Sequence, residues 1–364
     1  MSESLIKLTR GVPPDESFPV DQLQVCAERV LLTHGYEVLQ YGKSRGYSVL
    51  RELIAEQKGV DPDRIIVGQG SLQLQDLCAR LLIEPGDVVY VEEPTYDRTL
   101  TILERAGANA VGFSLEDDGV DVDGVASRLE GGDRPILFYL IPDFQNPSGT
   151  VLAEAKRRRI VGLARRYDFW IVEDVPYRML RYRGQDLPSL FDLAPDRVLQ
   201  MSSYSKLIGP GLRVGYVIAP DPLADQLAKM AEDTYINASY LNQAIVAEFI
   251  QQGWLEPQIE QLKGLYEPRL YATLDALDKY VRGAAVWREP DGGFFVGVTV
   301  AGTIDMDDLL SGAQKANLAL TDGRGFFVNG VNGNGFVRLP FCALTPDEIL
   351  EGVKRLGTVV RTLA

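Results

Sequence analysis

One histidine, three cysteines and a shortage of positive charge mark this chain of 364 residues, and each shortage closes off a class of chemistry. With His34 alone, neither a histidine-based triad nor a histidine-ligated zinc site has the residues it needs. Cys26, Cys78 and Cys342 are odd in number, far apart and without metal-ligand spacing. They read as reduced, buried thiols of a cytoplasmic protein rather than a disulfide framework. Only 37 lysines and arginines face 51 acids, a net charge of −14. That balance excludes a broad basic face for nucleic acid and leaves only local basic pockets for small anions. No stretch of about 18 apolar residues is present to cross a membrane. The start Met1-Ser2-Glu3-Ser4-Leu5-Ile6-Lys7 lacks a signal-peptide pattern. There are no repeats and no low-complexity tract.

What is present is a core. The hydrophobic share, 46%, is that of a globular protein, and the length is long for one domain and short for three. Between residues 45 and 220, short apolar runs alternate with helical periodicity. The runs at 64–67, 88–91, 110–113, 136–140, 169–172, 198–201 and 214–219 predict strands, and 50–57, 72–83, 99–105 and 153–167 predict helices. That interleaving predicts an α/β fold: a large domain, 40–255, around a seven-stranded, mostly parallel sheet. Beyond residue 240, two longer helical stretches lead to strand-like runs at 287–296 and 335–339, with helices at 305–318 and 347–356. These predict a smaller α+β domain made of 256–364 and 1–39, the latter carrying a helix at 20–33. Ligands of largely parallel sheets sit at the carboxyl ends of the strands. Ser71, Tyr96, Asn146, Asp174 and Lys206 each follow an apolar run, so five strands can deliver them to one crevice.

Lys206 lies in Ser203-Tyr204-Ser205-Lys206-Leu207-Ile208-Gly209-Pro210-Gly211-Leu212-Arg213, between two core strands. A lysine attacks a carbonyl only as the free amine, and a cation such as Arg213 helps lower its pKa. Ser203, Ser205, the glycines and Arg213 can hold a phosphate. An aldehyde bearing a phosphate, such as pyridoxal phosphate, meets both demands; a solvated loop is the plainer reading.

The other polar positions each have two readings. Asp174, at the inner end of 169–174, suits the pyridine nitrogen of such a cofactor, or a turn before Pro176. Tyr177 and Asn146 can both reach the ring hydroxyl, and the Asn146-Pro147-Ser148-Gly149 turn is also simply a turn. Tyr96 can stack on the ring or be an ordinary half-buried tyrosine. Gly70-Ser71 offers N–H groups at a helix start, or an N-cap. Arg338, inside Phe336-Val337-Arg338-Leu339-Pro340, calls for a carboxylate, either a substrate's or a structural acid's.

With these residues in hand, the chain resembles the class I/II aminotransferases of the fold-type I pyridoxal-phosphate enzymes, and within them the 2-aminoadipate/kynurenine aminotransferase group. The likeness runs from Gly11-Val12-Pro13-Pro14 through Gln40-Tyr41-Gly42, Gly70-Ser71, Glu93-Pro94-Thr95-Tyr96, Pro142 to Gly149, Glu173-Asp174 with Tyr177, Ser203 to Arg213 and Gly292-Gly293-Phe294-Phe295 to Arg338. The resemblance implies that Lys206 is the Schiff-base lysine and proton carrier and Asp174 the pyridine partner. Asn146 and Tyr177 become ligands of the ring hydroxyl, and Tyr96 the stacking ring. Gly70, Ser71, Ser203, Ser205 and Arg213 form the phosphate shell, and Arg338, with Asn146, meets the substrate carboxylate. Tyr41 matches a tyrosine that reaches the neighbouring subunit's phosphate, which implies a homodimer with shared active sites.

The implied activity is amino-group transfer between an L-amino acid and a 2-oxo acid, with no metal. Another transformation on the same fold, by β-elimination, decarboxylation or cyclisation, is the alternative. A second alternative is the ligand-sensing half of a MocR-type regulator. Ten residues precede the Gly11 motif, where such regulators carry a winged-helix domain, and with the acidic charge this argues against it. The chain departs from the family at Leu72, where a glutamine is usual, and at Thr321-Asp322, which with Arg324 puts charge at the expected substrate entrance. The helical segment that closes the pocket in several relatives is also expected to be missing. Arg10, Arg45 and Arg324 are candidates for a second substrate carboxylate; the donor itself stays open.

Overall fold

Residues 4–302 and 304–363 are described in a computed structural model of the chain. The described strands are β1 (Ile6–Leu8), β2 (Ile65–Gly68), β3 (Val88–Glu93), β4 (Asn109–Glu116), β5 (Gly119–Val120), β6 (Leu137–Leu140), β7 (Trp170–Asp174), β8 (Val198–Ser203), β9 (Gly215–Ile218), β10 (Ala285–Trp287), β11 (Phe295–Val300), β12 (Leu318–Leu320) and β13 (Phe336–Pro340). β2 to β9 form one sheet in the order β2-β9-β8-β7-β6-β3-β4-β5. β8, β7, β6, β3 and β4 are parallel neighbours. β9 runs against both β8 and β2, so β2 shares the direction of the rest. All seven strands expected from the sequence are in it. The eighth, β5, is a two-residue hairpin partner of β4, too short to register as an apolar run.

Successive side chains along these buried strands alternate between two cores. Ile65, Val67, Phe138, Leu140, Ile171 and Val198 pack on one face, and Ile66, Leu137, Tyr139, Val172 and Leu199 on the other. A strand covered on both faces reads as a continuous apolar run, which is why these segments are legible in the sequence. Helix Ser71–Leu82 packs Leu74, Leu77 and Cys78 on the second face, and helix Glu154–Tyr167 packs Ile160, Val161 and Ala164 on the first.

The C-terminal part holds the antiparallel sheet β10-β11-β13. The expected strand at 287–296 is broken: β10 ends at Trp287 and β11 starts at Phe295. Between them Pro290 lacks an N–H and Gly293 sits at φ +74°, so no ladder can run through. β1 pairs in parallel with β12, a ladder the sequence pattern does not reveal. Past β1 the chain runs on as residues 9–11. Helix Val20–Val38 extends beyond the expected 20–33 and reaches the Tyr240–Gln251 helix, where Arg29 pairs with Glu248 at 3.3 Å. Cys26, Cys78 and Cys342 are buried free thiols. Among the described residues no helix is long and apolar enough to cross a membrane, and no cluster of histidine, cysteine or acid could hold a metal.

Candidate active site

β8 ends at Ser203, and a single 3-10 turn, Tyr204–Lys206, places Lys206 at the carboxyl end of the sheet. Lys206 Nζ donates to the Gly11 carbonyl at 3.2 Å and stands 5.7 Å from the centre of the Phe294 ring. Its pKa is lowered, first by burial; Cys342 opposes this, and the guanidiniums of Arg338 and then Arg213 add to it. Removal from water therefore does more than the Arg213 charge that the sequence suggests. A lowered pKa keeps a larger share of the amine unprotonated and nucleophilic.

Lys206, Ser71, Tyr96, Asn146, Asp174, Tyr177, Ser203, Ser205 and Arg213 line one cavity of ≈ 200 Å³, together with Leu72 and Pro210. Asp174 closes β7 and is buried. Its Oδ2 accepts from Tyr139 Oη at 2.8 Å, whereas its Oδ1 is buried with no partner. Burial pushes its pKa up to about 6, against the Tyr139 hydrogen bond. Turn aspartates cap a backbone N–H; Asp174 does not. Tyr177 is packed edge-on against Phe295, 5.8 Å between ring centres, and burial holds its phenol well above the ordinary value.

At the other end of the cavity Gly70 adopts φ +84°, and a Cβ there would lie 2.5 Å from Arg213 Nη2. Only glycine lets the chain turn so tightly under the guanidinium. Gly70 is the N-cap of helix Ser71–Leu82 and no side chain caps it, so the first N–H groups keep their dipole toward the cavity. Arg213, at φ +52°, donates through Nη2 to the Gln69 carbonyl at 2.8 Å. Ser203 Oγ and Ser205 Oγ lie 2.8 Å apart, and Ser205 N donates to Ser203 Oγ at 3.1 Å. Two hydroxyls, a helix start and a guanidinium thus face one end, where an oxyanion would be held.

Arg338 sits in β13, opposite Gly297, and all five residues of the strand are buried. No carboxylate pairs with it among the described residues. Its Nη1 donates to Asn146 Oδ1 at 3.0 Å and its Nη2 to the Thr9 carbonyl at 2.9 Å. Nε is buried without a partner, and the guanidinium stands 4.7 Å from the centres of both the Phe295 and Phe326 rings. A buried cation held only by neutral oxygens and ring faces is left able to receive an anion. Of the three arginines considered for a second carboxylate, Arg45 is held by Asp225 and Arg324 by Asp322 and Asp307. Arg10 is exposed, with no hydrogen bond or ion pair among the described residues.

Of the sequence-selected residues, Gly70 and Arg338 adjoin the cavity through Arg213 and Asn146 rather than lining it, and Tyr41 stands apart, 76% exposed. Sequence reasoning passed over Tyr139, hidden in an apolar run, and the carbonyls of Thr9 and Gly11, which hold Arg338 and Lys206 from the N-terminal segment. It also passed over Phe326, whose ring face is visible only once the fold brings it to Arg338. Gly11 was legible only through the resemblance. The structure adds a reason for it: a Cβ there would lie 2.3 Å from the Phe295 ring.

The sequence profile of the family described as aminotransferase class I and II matches residues 3–356. The aromatic-amino-acid aminotransferase 1 of Thermococcus litoralis is 32% identical over 371 residues, covering 99% of this chain and 89% of that protein. Among solved structures, the α-aminoadipate aminotransferase of Thermus thermophilus, complexed with N-(5'-phosphopyridoxyl)-L-leucine, superposes with a TM-score of 0.94 at 31% identity, covering 99% of this chain and 92% of that one. The kynurenine aminotransferase of Pyrococcus horikoshii gives a TM-score of 0.95 at 30% identity with the same coverage.

Proposed function

Since the chain belongs to the class I and II aminotransferases, we propose that the cavity at Lys206 is where it carries out that family's reaction, with the residues lining it in the roles below. The fold is that of the fold-type I enzymes, and the protein is a pyridoxal-phosphate-dependent transaminase that moves an amino group between an amino acid and a 2-oxo acid. The observation that carries the site reading is the orphaned Asp174 Oδ1, a buried acceptor lining the same cavity as a desolvated lysine. A protonated ring nitrogen is the donor that atom lacks, so the residues present fit the cofactor.

When bound, pyridoxal phosphate supplies an aldehyde that joins amino groups and a ring that draws electrons from the bonds at the substrate's α-carbon. Ser71, Ser203, Ser205, Arg213 and the N–H groups after Gly70 would hold its phosphate, Asp174 its ring nitrogen, and Asn146 and Tyr177 its hydroxyl; Tyr96 would cover the ring. Arg338 holds the donor's α-carboxylate, and Asn146, Thr9 and the two phenyl faces keep its guanidinium in one orientation. Lys206 Nζ, as the free amine, would then take the proton from the donor's α-carbon and pass it on to the cofactor's C4′ carbon. Changing Lys206→Ala is expected to abolish turnover with any amino donor and 2-oxoglutarate, together with the lysine-bound absorbance of the cofactor. Retention of both would sink this reading.

Arg10 lies between Thr9, whose carbonyl binds Arg338, and Gly11, whose carbonyl binds Lys206, and it pairs with no acid among the described residues. This supports donors with a second carboxylate, in line with the 2-aminoadipate transaminase of Thermus thermophilus, 31% identical. A donor panel in which dicarboxylic amino acids are no better than alanine speaks against it. The fully exposed Tyr36, with Leu32 on the same face of the Val20–Val38 helix, exposed Leu39 at its C-cap and Tyr41 just beyond, supports a homodimer in which Tyr41 serves the partner's site. The three buried free thiols support a reducing cytoplasm. Residues 40–255 are read as the cofactor-binding domain, with 1–39 and 256–364 as the smaller one; Arg338 and the Thr9–Gly11 segment would then come to the site from the smaller domain.

A further inference from the structure

The chain between β12 and β13 runs beside Arg338 and is fastened at both ends. At the near end the β1–β12 ladder sets Leu8 against Leu320, so the next pair outward is Thr9 and Thr321. Thr321 Oγ1 donates to the Thr9 carbonyl at 2.8 Å, the same oxygen that accepts from Arg338 Nη2 at 2.9 Å. A carbonyl oxygen has two lone pairs, one for each donor. At the far end Asn329 and Gly330 adopt φ +61° and +73°, a left-handed turn that both residue types tolerate. The turn brings Val328 N and Asn332 Nδ2 to one carboxylate, each 3.0 Å from an oxygen of Glu93, the last residue of β3. Between the two fastenings lies Phe326, 1% exposed, with its ring centre 4.7 Å from the Arg338 guanidinium. Its carbonyl accepts from Thr95 N at 2.8 Å. Gly323 passes so close to the Phe336 carbonyl that no Cβ would fit.

We propose that this segment is a brace for the carboxylate-binding arginine, with Thr321 and Glu93 as positioning residues that fix the Thr9 carbonyl and the Phe326 ring against Arg338. This rests on the reading of Arg338 as the group that holds the donor's α-carboxylate. A guanidinium recognises a carboxylate through a planar fork, so its plane has to be set before the substrate arrives. Two rings flank it, and they are held differently. Phe295 opens β11 and is fixed by a ladder, whereas Phe326 ends the 3-10 turn Gly323–Phe326. Its place depends on the bonds that tie the turn to Thr9, Thr95 and Glu93. With either end released, ring and carbonyl drift from the guanidinium. The loss then falls on holding the carboxylate and not on the later proton transfer, which Lys206 performs from the end of β8.

The test is steady-state kinetics of the holoenzyme with 2-aminoadipate, phenylalanine and alanine as donors to 2-oxoglutarate. Asn332→Asp sets two carboxylates together at an exposed position. It is expected to raise KM about three- to tenfold for every donor used, since all share the α-carboxylate, with kcat and the affinity for pyridoxal phosphate little changed. Thr321→Val is expected to do the same by less. Glu93→Gln alone also raises KM, because an amide hydrogen then meets one of the two donors. Combined with Asn332→Asp it rebuilds both bonds: the new amide donates to the new carboxylate while its oxygen accepts from Val328 N. The KM of that double variant is expected to return toward the parent value. An unchanged KM in Asn332→Asp or in Thr321→Val overturns the proposal, as does a double variant no better than its worse single. Lost thermal stability with donor KM untouched marks a purely structural segment and also overturns it. Arg338→Gln separates the two readings. If it leaves donor KM unchanged, the carboxylate reading falls and the brace with it; if it raises KM and the brace variants do not, the brace alone falls.

Discussion

Two buried aspartates at the same edge of the sheet have opposite surroundings. Asp143, just past β6, meets Arg157 Nη2 at 2.7 Å and Arg178 Nη1 at 2.8 Å, with Arg181 Nη2 at 3.7 Å. Burial pushes its pKa up, but Arg157 and then Arg178 outweigh it and hold the carboxyl below the ordinary range. Asp174, at the end of β7, has one phenol and one orphaned oxygen, and its pKa rises to about 6. The arginines divide the same way. Arg157 is fully buried and matched by an acid, while Arg338 is buried and matched by none among the described residues. A protein that leaves without an ionic partner both an acid lining the cavity and a base hydrogen-bonded to the cavity's Asn146, while matching the same groups elsewhere in the fold, forgoes stability where a ligand is to bind.

The contrast is sharpest under mutation, and the largest effect is expected on the matched side. Asp143→Ala leaves Arg157 and Arg178 without their acid and is expected to lower stability by about 3–5 kcal/mol, read by denaturant unfolding. Arg181 stacks on Phe144, 4.7 Å from the ring centre, and Phe144 is held at φ +54° two residues before Asn146. Site geometry should therefore loosen as well.

Asp174→Asn should do the opposite. The folded-state pKa, about 6, lies above the ordinary 3.8, so this group's contribution is fully present below 3.8 and is lost as pH rises through about 6. In cofactor-free protein that amounts to about 3 kcal/mol. Asp174→Asn should remove this part of the slope and stabilise the cofactor-free protein at pH 7, while turnover falls. Unfolding curves at pH 4 and pH 7 decide it: equal losses in both proteins would erase the difference between the two aspartates. The smallest effect is expected for Arg338→Lys, which keeps the charge and loses the planar fork between Phe295 and Phe326. Steady-state kinetics should show kcat/KM for the amino donor down roughly 10- to 100-fold with stability little changed.

Much of this was legible in the sequence. A strand buried on both faces writes itself as an apolar run, so the seven long strands of the main sheet and the polar residues at their ends could be placed. Partnership could not be read. Asp143 and Asp174 both follow apolar runs, and nothing local says that arginines fourteen and thirty-five residues away close on the first. Tyr139 looks like core because it is core; its hydroxyl matters only through β7 beside it. β1 and β12 are three residues each and pair across most of the chain, beyond the reach of any local pattern.

Lys206 as the residue that carries the cofactor is the claim on which the rest depends. Holoenzyme reduced with borohydride, digested and mapped by mass spectrometry reads it directly. A phosphopyridoxyl group on the peptide containing Lys206, and on no other lysine, is the predicted result. The label on a different lysine, or on none in protein that has bound the cofactor, would contradict it.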